Sequence, residues 1–255
     1  MPKPLPVKLH KEPLVEAVCE LRVSPAAGAL HSVLPGYLFA KFPTEVGSLE
    51  NLPASALPDV LRQQEPALAH APLIRLTWRQ YFILVGARQF SLACKLPYPG
   101  WQVFKADIIL LFNELLQGGL VHGIDRYSMK YVNFFPSESG IAGATSMMDW
   151  QVRIGDFSLH EEPVQVRVEV PKEDLLTVIT VASPARIARP DGTESVGGVV
   201  DVDTICRMST NDVSAFASEL ADRLDKIRLV NKQAFFGCLS VEAINAMEPV
   251  YDESK

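Results

Sequence analysis

Leu14-Val15-Glu16-Ala17-Val18-Cys19-Glu20-Leu21-Arg22-Val23 sorts by parity. Val15, Ala17, Cys19, Leu21 and Val23 fall on one side of a two-residue repeat, and Glu16, Val18, Glu20 and Arg22 on the other. A helical period would scatter those charges around an axis. A strand's period gathers them on one face and leaves an apolar face to pack inward. The stretch predicts a half-buried strand inside its sheet, since it contains no proline or lysine to blunt an exposed edge.

The same alternation recurs. Val164, Val166, Val168 and Val170 interleave with Gln165, Arg167 and Glu169, and Val200 and Val202 with Asp201 and Asp203 in a strand expected over Gly198–Arg207. A long strand over Gly123–Phe135 sets Arg126, Ser128 and Lys130 against Tyr127, Met129 and Tyr131. Short connections between Leu73–Trp78, Phe82–Val85 and Gln89–Lys95 predict antiparallel hairpins, and Val152–Leu159 and Leu175–Ala182 read as two further strands. Helical spacing marks Trp101–Leu116, and a long C-terminal helix capped by Asn211 or Asp212 runs to about Cys238, followed by a short helix from Ser240. An earlier helix is expected from a Ser24 cap with Pro25 in its first turn, ending at Pro35-Gly36. Residues 43–72 read as an irregular connection and a candidate mobile insert, with one short helix near Leu57–Gln64. Together these predict a single α+β domain over residues 1–255: a curved antiparallel sheet with helices packed on one face and a long C-terminal helix.

At 255 residues and 48% hydrophobic content the chain can bury a large core. No apolar run approaches the roughly 20 residues a membrane helix needs, and the N-terminus has no secretory pattern, so a soluble cytoplasmic protein without membrane contact is expected. A net charge of −6, with both signs interspersed, gives no global field to draw in nucleic acid. Cys19, Cys94, Cys206 and Cys238 lie far apart with no Cys-x-x-Cys pair and are expected to be reduced and structural. The five histidines show no ligand spacing, and neither a Gly-rich phosphate loop nor a nucleophile elbow is present.

Pro13-Leu14-Val15-Glu16-Ala17-Val18-Cys19-Glu20-Leu21-Arg22 resembles the opening signature of a sporadically distributed, uncharacterised prokaryotic family of about this length. Arg126-Tyr127-Ser128-Met129-Lys130-Tyr131-Val132-Asn133 is similar to its central Arg-x-x-x-x-Tyr-x-Asn strand. Val199-Val200-Asp201-Val202-Asp203 is similar to its Asp-x-Asp strand, and Ala234-Phe235-Phe236 to its helical C-terminus. The resemblance implies no activity, cofactor or catalytic set. Its patchy distribution implies a phage-defence or mobile-element context.

Two functional readings come from the residues. The first is a non-enzymatic binding or adaptor protein without a cofactor, whose partner is another protein or a second copy; Phe235, Phe236 and Leu239 give the C-terminal helix a bulky apolar end that either docks on the sheet or meets that partner. The second is an enzyme acting on a phosphoryl substrate or nucleotide on a concave charged sheet face. There Arg75, Arg79, Arg126, Lys130 and Arg167 would take phosphates, and Glu16, Glu20, Asp201 and Asp203 would hold Mg²⁺. Against it stands the ordinary composition of a solvated sheet face. Aromatics near cations also raise nucleic-acid binding, but on the Gly123–Phe135 strand the tyrosines lie opposite the cations, so that partner is not expected.

Overall fold

The opening strand takes the faces its parity dictates. In the computed structural model β2 (Leu14–Pro25) buries Ala17, Cys19, Leu21 and Val23 at 1% exposure or less, while Glu16 is exposed and Val18, Glu20 and Arg22 are half-buried. The structure describes residues 5–26, 28–66, 68–137, 147–150, 153–158, 163–188 and 192–252. The remaining elements are β1 (Lys8–Leu9), α1 (Leu30–Lys41), β3 (Val46–Asn51), α2 (Asp59–Gln64), β4 (Ile74–Trp78), β5 (Tyr81–Val85), β6 (Gln89–Cys94), α3 (Trp101–Gln117) and β7 (Val121–Pro136). They continue with β8 (Arg153–Ile154), β9 (Phe157–Ser158), β10 (Val164–Lys172), β11 (Leu175–Ala188), β12 (Glu194–Thr210), α4 (Val213–Gly237), α5 (Val241–Ala246) and β13 (Pro249–Val250).

The fold is α+β. Nine strands are hydrogen-bonded in the order β10-β11-β12-β7-β2-β6-β5-β4-β3, which puts β2 inside the sheet as its sequence requires. The chain groups into two compact units. The first comprises Met1–Val15, Lys130–Thr204 and Arg228–Lys255, the second Glu16–Met129 and Ile205–Ile227.

In the second unit the odd-numbered face of β2 continues into Phe90 and Leu92 of β6 and Tyr81, Ile83 and Val85 of β5, all fully buried. The helices pack on that face: the Phe90 and Phe112 rings lie 5.2 Å apart, and those of Tyr127 and Phe216 5.7 Å apart. Asp225 of α4 joins the two helices by accepting from Trp101 Nε1 at 3.1 Å and Lys105 Nζ at 2.6 Å. Asp212 supplies the expected cap, its side chain accepting from the Ala215 N–H at 2.9 Å.

The first unit closes around Phe135, Met148, Val181, Val200, Val202, Phe235, Phe236 and Leu239. β12 lies so close to β7 that a Cβ on Gly197 would stand 2.1 Å from the Phe135 carbonyl oxygen, which only glycine permits. Asn231 of α4 reaches into this layer, donating from Nδ2 to the Val202 carbonyl at 2.8 Å. Ser240 caps α5 through the Ala243 N–H. The four cysteines are free thiols, three of them buried. No helix among the described residues is long and apolar enough to cross a membrane.

The structure corrects four expectations. β2 runs on to Pro25, and α1 begins at Leu30 and passes through Pro35 to Lys41. The carbonyls of Ala87 and Gly86 take the first N–H groups of α1, at 2.9 and 3.1 Å, and burial of Leu30, Leu34 and Leu38 outweighs the N–H that Pro35 lacks. Residues 43–72 contain the strand β3 besides the expected short helix. Only Val46 of β3 is buried, so no apolar alternation announces it. Residues 153–158 form a tight hairpin about Gly155, at φ 59°, instead of one strand; residues 152 and 159 lie outside the described residues, as do His160, Pro190 and Asp191. The valine face of β10 does not close into the core along its length, since Val168 and Val170 are 47% and 44% exposed.

Candidate functional site

Strand register assembles the charged face of the second unit. Glu20 stands opposite Ser91 and Arg22 opposite Gln89 in the β2–β6 ladder. Arg22 Nε donates to Glu20 Oε1 at 2.8 Å, and Arg126 Nη2 approaches the same oxygen at 3.5 Å while donating to Ser128 Oγ at 3.2 Å. Gln89 and Ser91 are buried beside this group, Gln89 Nε2 donating to Ser91 Oγ at 2.7 Å. Gln89 Oε1 has no hydrogen-bond partner.

His70 belongs to the same neighbourhood. Burial lowers its pKa first, the Arg22, Arg88 and Arg126 charges add to that, and Glu20 opposes them. A lowered pKa keeps the imidazole neutral at physiological pH, and its Nδ1 is buried without a hydrogen-bond partner. His70 also lines a recess of about 350 Å³ with Asp59, Arg62, Leu68, Ala87 and Arg88. Arg62 is committed there to the carbonyls of Ala54 and Leu57 and to Asp59, so it braces the connection before β4. His31 is likewise lowered by burial, then by Arg62, with Asp59 opposing. No ligand spacing marks these residues in the sequence; the fold brings 62, 70 and 88 together, and only the chain path carries that information.

The other proposed phosphate ligands are placed differently. Arg75 of β4 pairs with Glu50 of β3 and stacks over Phe82 at 4.7 Å. Arg79, which strict parity would set beside Arg75, leaves the alternation at the β4–β5 turn, where its φ is 50°. It pairs instead with Glu45 and, at 2.7 Å, with Asp107 of α3, over the Trp78 ring. Asp107 is buried and also accepts from the Tyr81 hydroxyl at 2.6 Å. Burial, followed by that bond, raises the Tyr81 pKa above its ordinary value.

In the first unit Lys130 of β7 meets Asp201 of β12 at 3.4 Å. Arg167 pairs with Glu169 along β10, and Asp203 is half-buried on β12. Of the four carboxylates considered for Mg²⁺, Glu16 is exposed, Glu20 carries two arginines and Asp201 carries Lys130. Among the described residues no three His, Cys, Asp or Glu side chains are grouped to hold a metal ion.

Phe235, Phe236 and Leu239 are 7%, 4% and 0% exposed, enclosed in the core of the first unit. Of the two roles open to the helix end, the side chains occupy the docked one and present little surface to a partner. No protein-family model matches the chain, and no curated protein matches it in sequence.

Proposed function

We propose that this protein acts by binding another macromolecule, as a non-enzymatic adaptor. The observation that supports this is the local pairing of its charges. Arg22 and Arg126 spend charge on Glu20, Arg75 on Glu50, Arg79 on Glu45 and Asp107, Lys130 on Asp201, and Arg167 on Glu169. A phosphoryl site works by aiming donors at charge that arrives with the substrate, whereas these donors already answer carboxylates of the fold. The resemblance to a sporadically distributed prokaryotic family directs the search for a partner to phage-defence and mobile-element systems. Affinity purification of the tagged full chain from its native cells tests the reading. One partner recovered in stoichiometric amount is expected; the chain recovered alone under several lysis and salt conditions contradicts it.

One observation favours a second reading, an enzyme binding a phosphoryl substrate or nucleotide, with Mg²⁺ as its metal. The Glu20 carboxylate gathers two arginines, Arg22 and Arg126, beside a neutral His70, which is the kind of cationic cluster such a substrate would meet.

A further inference from the structure

We propose that two copies of this chain join edge to edge through β10, antiparallel, about a twofold axis at Val168. β10 ends the sheet order and, among the described residues, pairs with β11 alone. Lys172 faces Leu175 across the two-residue turn Glu173-Asp174, with Glu173 at φ 54°. In such a hairpin the residues flanking the turn exchange both hydrogen bonds, and the exchange alternates along the ladder. Residues 164, 166, 168, 170 and 172 therefore bond to β11, and Gln165, Arg167, Glu169 and Pro171 turn their backbone groups to the open edge. Pro171 has no N–H to leave unpaired there.

Among the described residues, both faces of this edge are open at its centre. Val168 and Val170 are exposed on one side, and Arg167 and Glu169 on the other. A strand pairing with its own copy must set outward-turned residues opposite outward-turned residues, which confines the axis to a whole residue. An axis at Arg167 opposes like cations, and one at Glu169 opposes like anions. An axis at Val168 sets Arg167 against the partner's Glu169 and Glu169 against the partner's Arg167. On the other face it sets Val166 against the partner's Val170 and Val168 against its own copy. That register joins the Arg167–Glu169 pair of each copy into one alternating four-charge cluster, and adds a valine cluster and about six backbone hydrogen bonds, with one Pro171 carbonyl accepting at each end. Self-complementarity of this kind is what an isologous twofold interface requires, and it selects a second copy of this chain as the occupant of the edge. The same charges would repel a strand lacking the matching order.

This inference extends the binding reading to self-association and is judged separately from it, because its readout is the mass of the purified chain alone. Light scattering or sedimentation of the full chain across a wide concentration range is expected to show a monomer–dimer equilibrium. Arg167→Glu and Glu169→Arg each place like charges opposite one another twice, and each weakens dimerisation at least about tenfold. Mixing the two variants restores opposite pairs at both positions and is expected to give a heterodimer, which also certifies that both variants fold. A wild-type chain that stays monomeric, or a dimer indifferent to both substitutions, overturns the proposal. A mixture that stays monomeric overturns the register.

Discussion

The Glu20 carboxylate and the Arg22 guanidinium, two residues apart on one face of β2, lie 2.8 Å from each other with only 20% and 26% of their side chains exposed. The pair sits between a surface ion pair, worth about 0–1 kcal/mol, and a buried one whose breakage costs about 3–5 kcal/mol. Arg126 draws on the same carboxylate. Glu20→Gln therefore removes one carboxylate from two arginines at once and is expected to cost about 1–3 kcal/mol in chemical denaturation. A variant as stable as the wild type would mean that the arginines are held by other contacts.

Face assignment on β2 gives a sharper contrast. Cys19 is 1% exposed in the core, and Glu16 is exposed on the opposite face. Cys19→Asp places a carboxylate in an apolar layer and is expected to destabilise by several kcal/mol, whereas Glu16→Gln changes stability by about 0.5 kcal/mol or less. Equal melting temperatures for the two variants would contradict the parity reading.

Much of the architecture was legible because alternation and helical spacing are local signals. Ala17, Cys19, Leu21 and Val23 on β2, Tyr127, Met129 and Tyr131 on β7, and Phe216, Leu220, Leu224 and Ile227 on α4 all face inward as their spacing requires. What escaped has no local signal. β3 is an exposed edge strand held by backbone pairing with β4. Arg79 departs from its face because a turn residue at positive φ obeys no strand parity. Val168 and Val170 alternate as core valines do, but β10 ends the sheet order, so parity names a face without saying whether anything covers it. His70 joins the charged cluster through the chain path.

The first unit offers a test of its buried polar contact. Asn231, 1% exposed, donates to the Val202 carbonyl at 2.8 Å. Asn231→Leu keeps the branched shape and removes the donor, which is expected to cost about 1–3 kcal/mol in urea unfolding. A neutral or stabilising effect would show that the hydrogen bond adds nothing over apolar packing.

His31 and His70 set a pH dependence. Burial lowers both pKa values from the ordinary 6.5, so the unfolded chain takes up protons below that pH that the folded chain refuses. Stability is therefore expected to fall as pH drops from about 6.5 towards the lowered folded values. Replacing both residues by Gln should flatten this part of the profile in thermal melts. An unchanged slope would assign the acid sensitivity to other groups.

The proposed binding role requires that the sheet-face charges, which pair with one another among the described residues, take up no phosphate. Calorimetric titration of the purified chain with inorganic phosphate and with ATP, each with and without Mg²⁺, tests it most directly. No saturable binding is the predicted result. Saturable binding that Arg126→Ala abolishes and Arg167→Ala leaves intact would contradict the claim and establish the charged face as a ligand site.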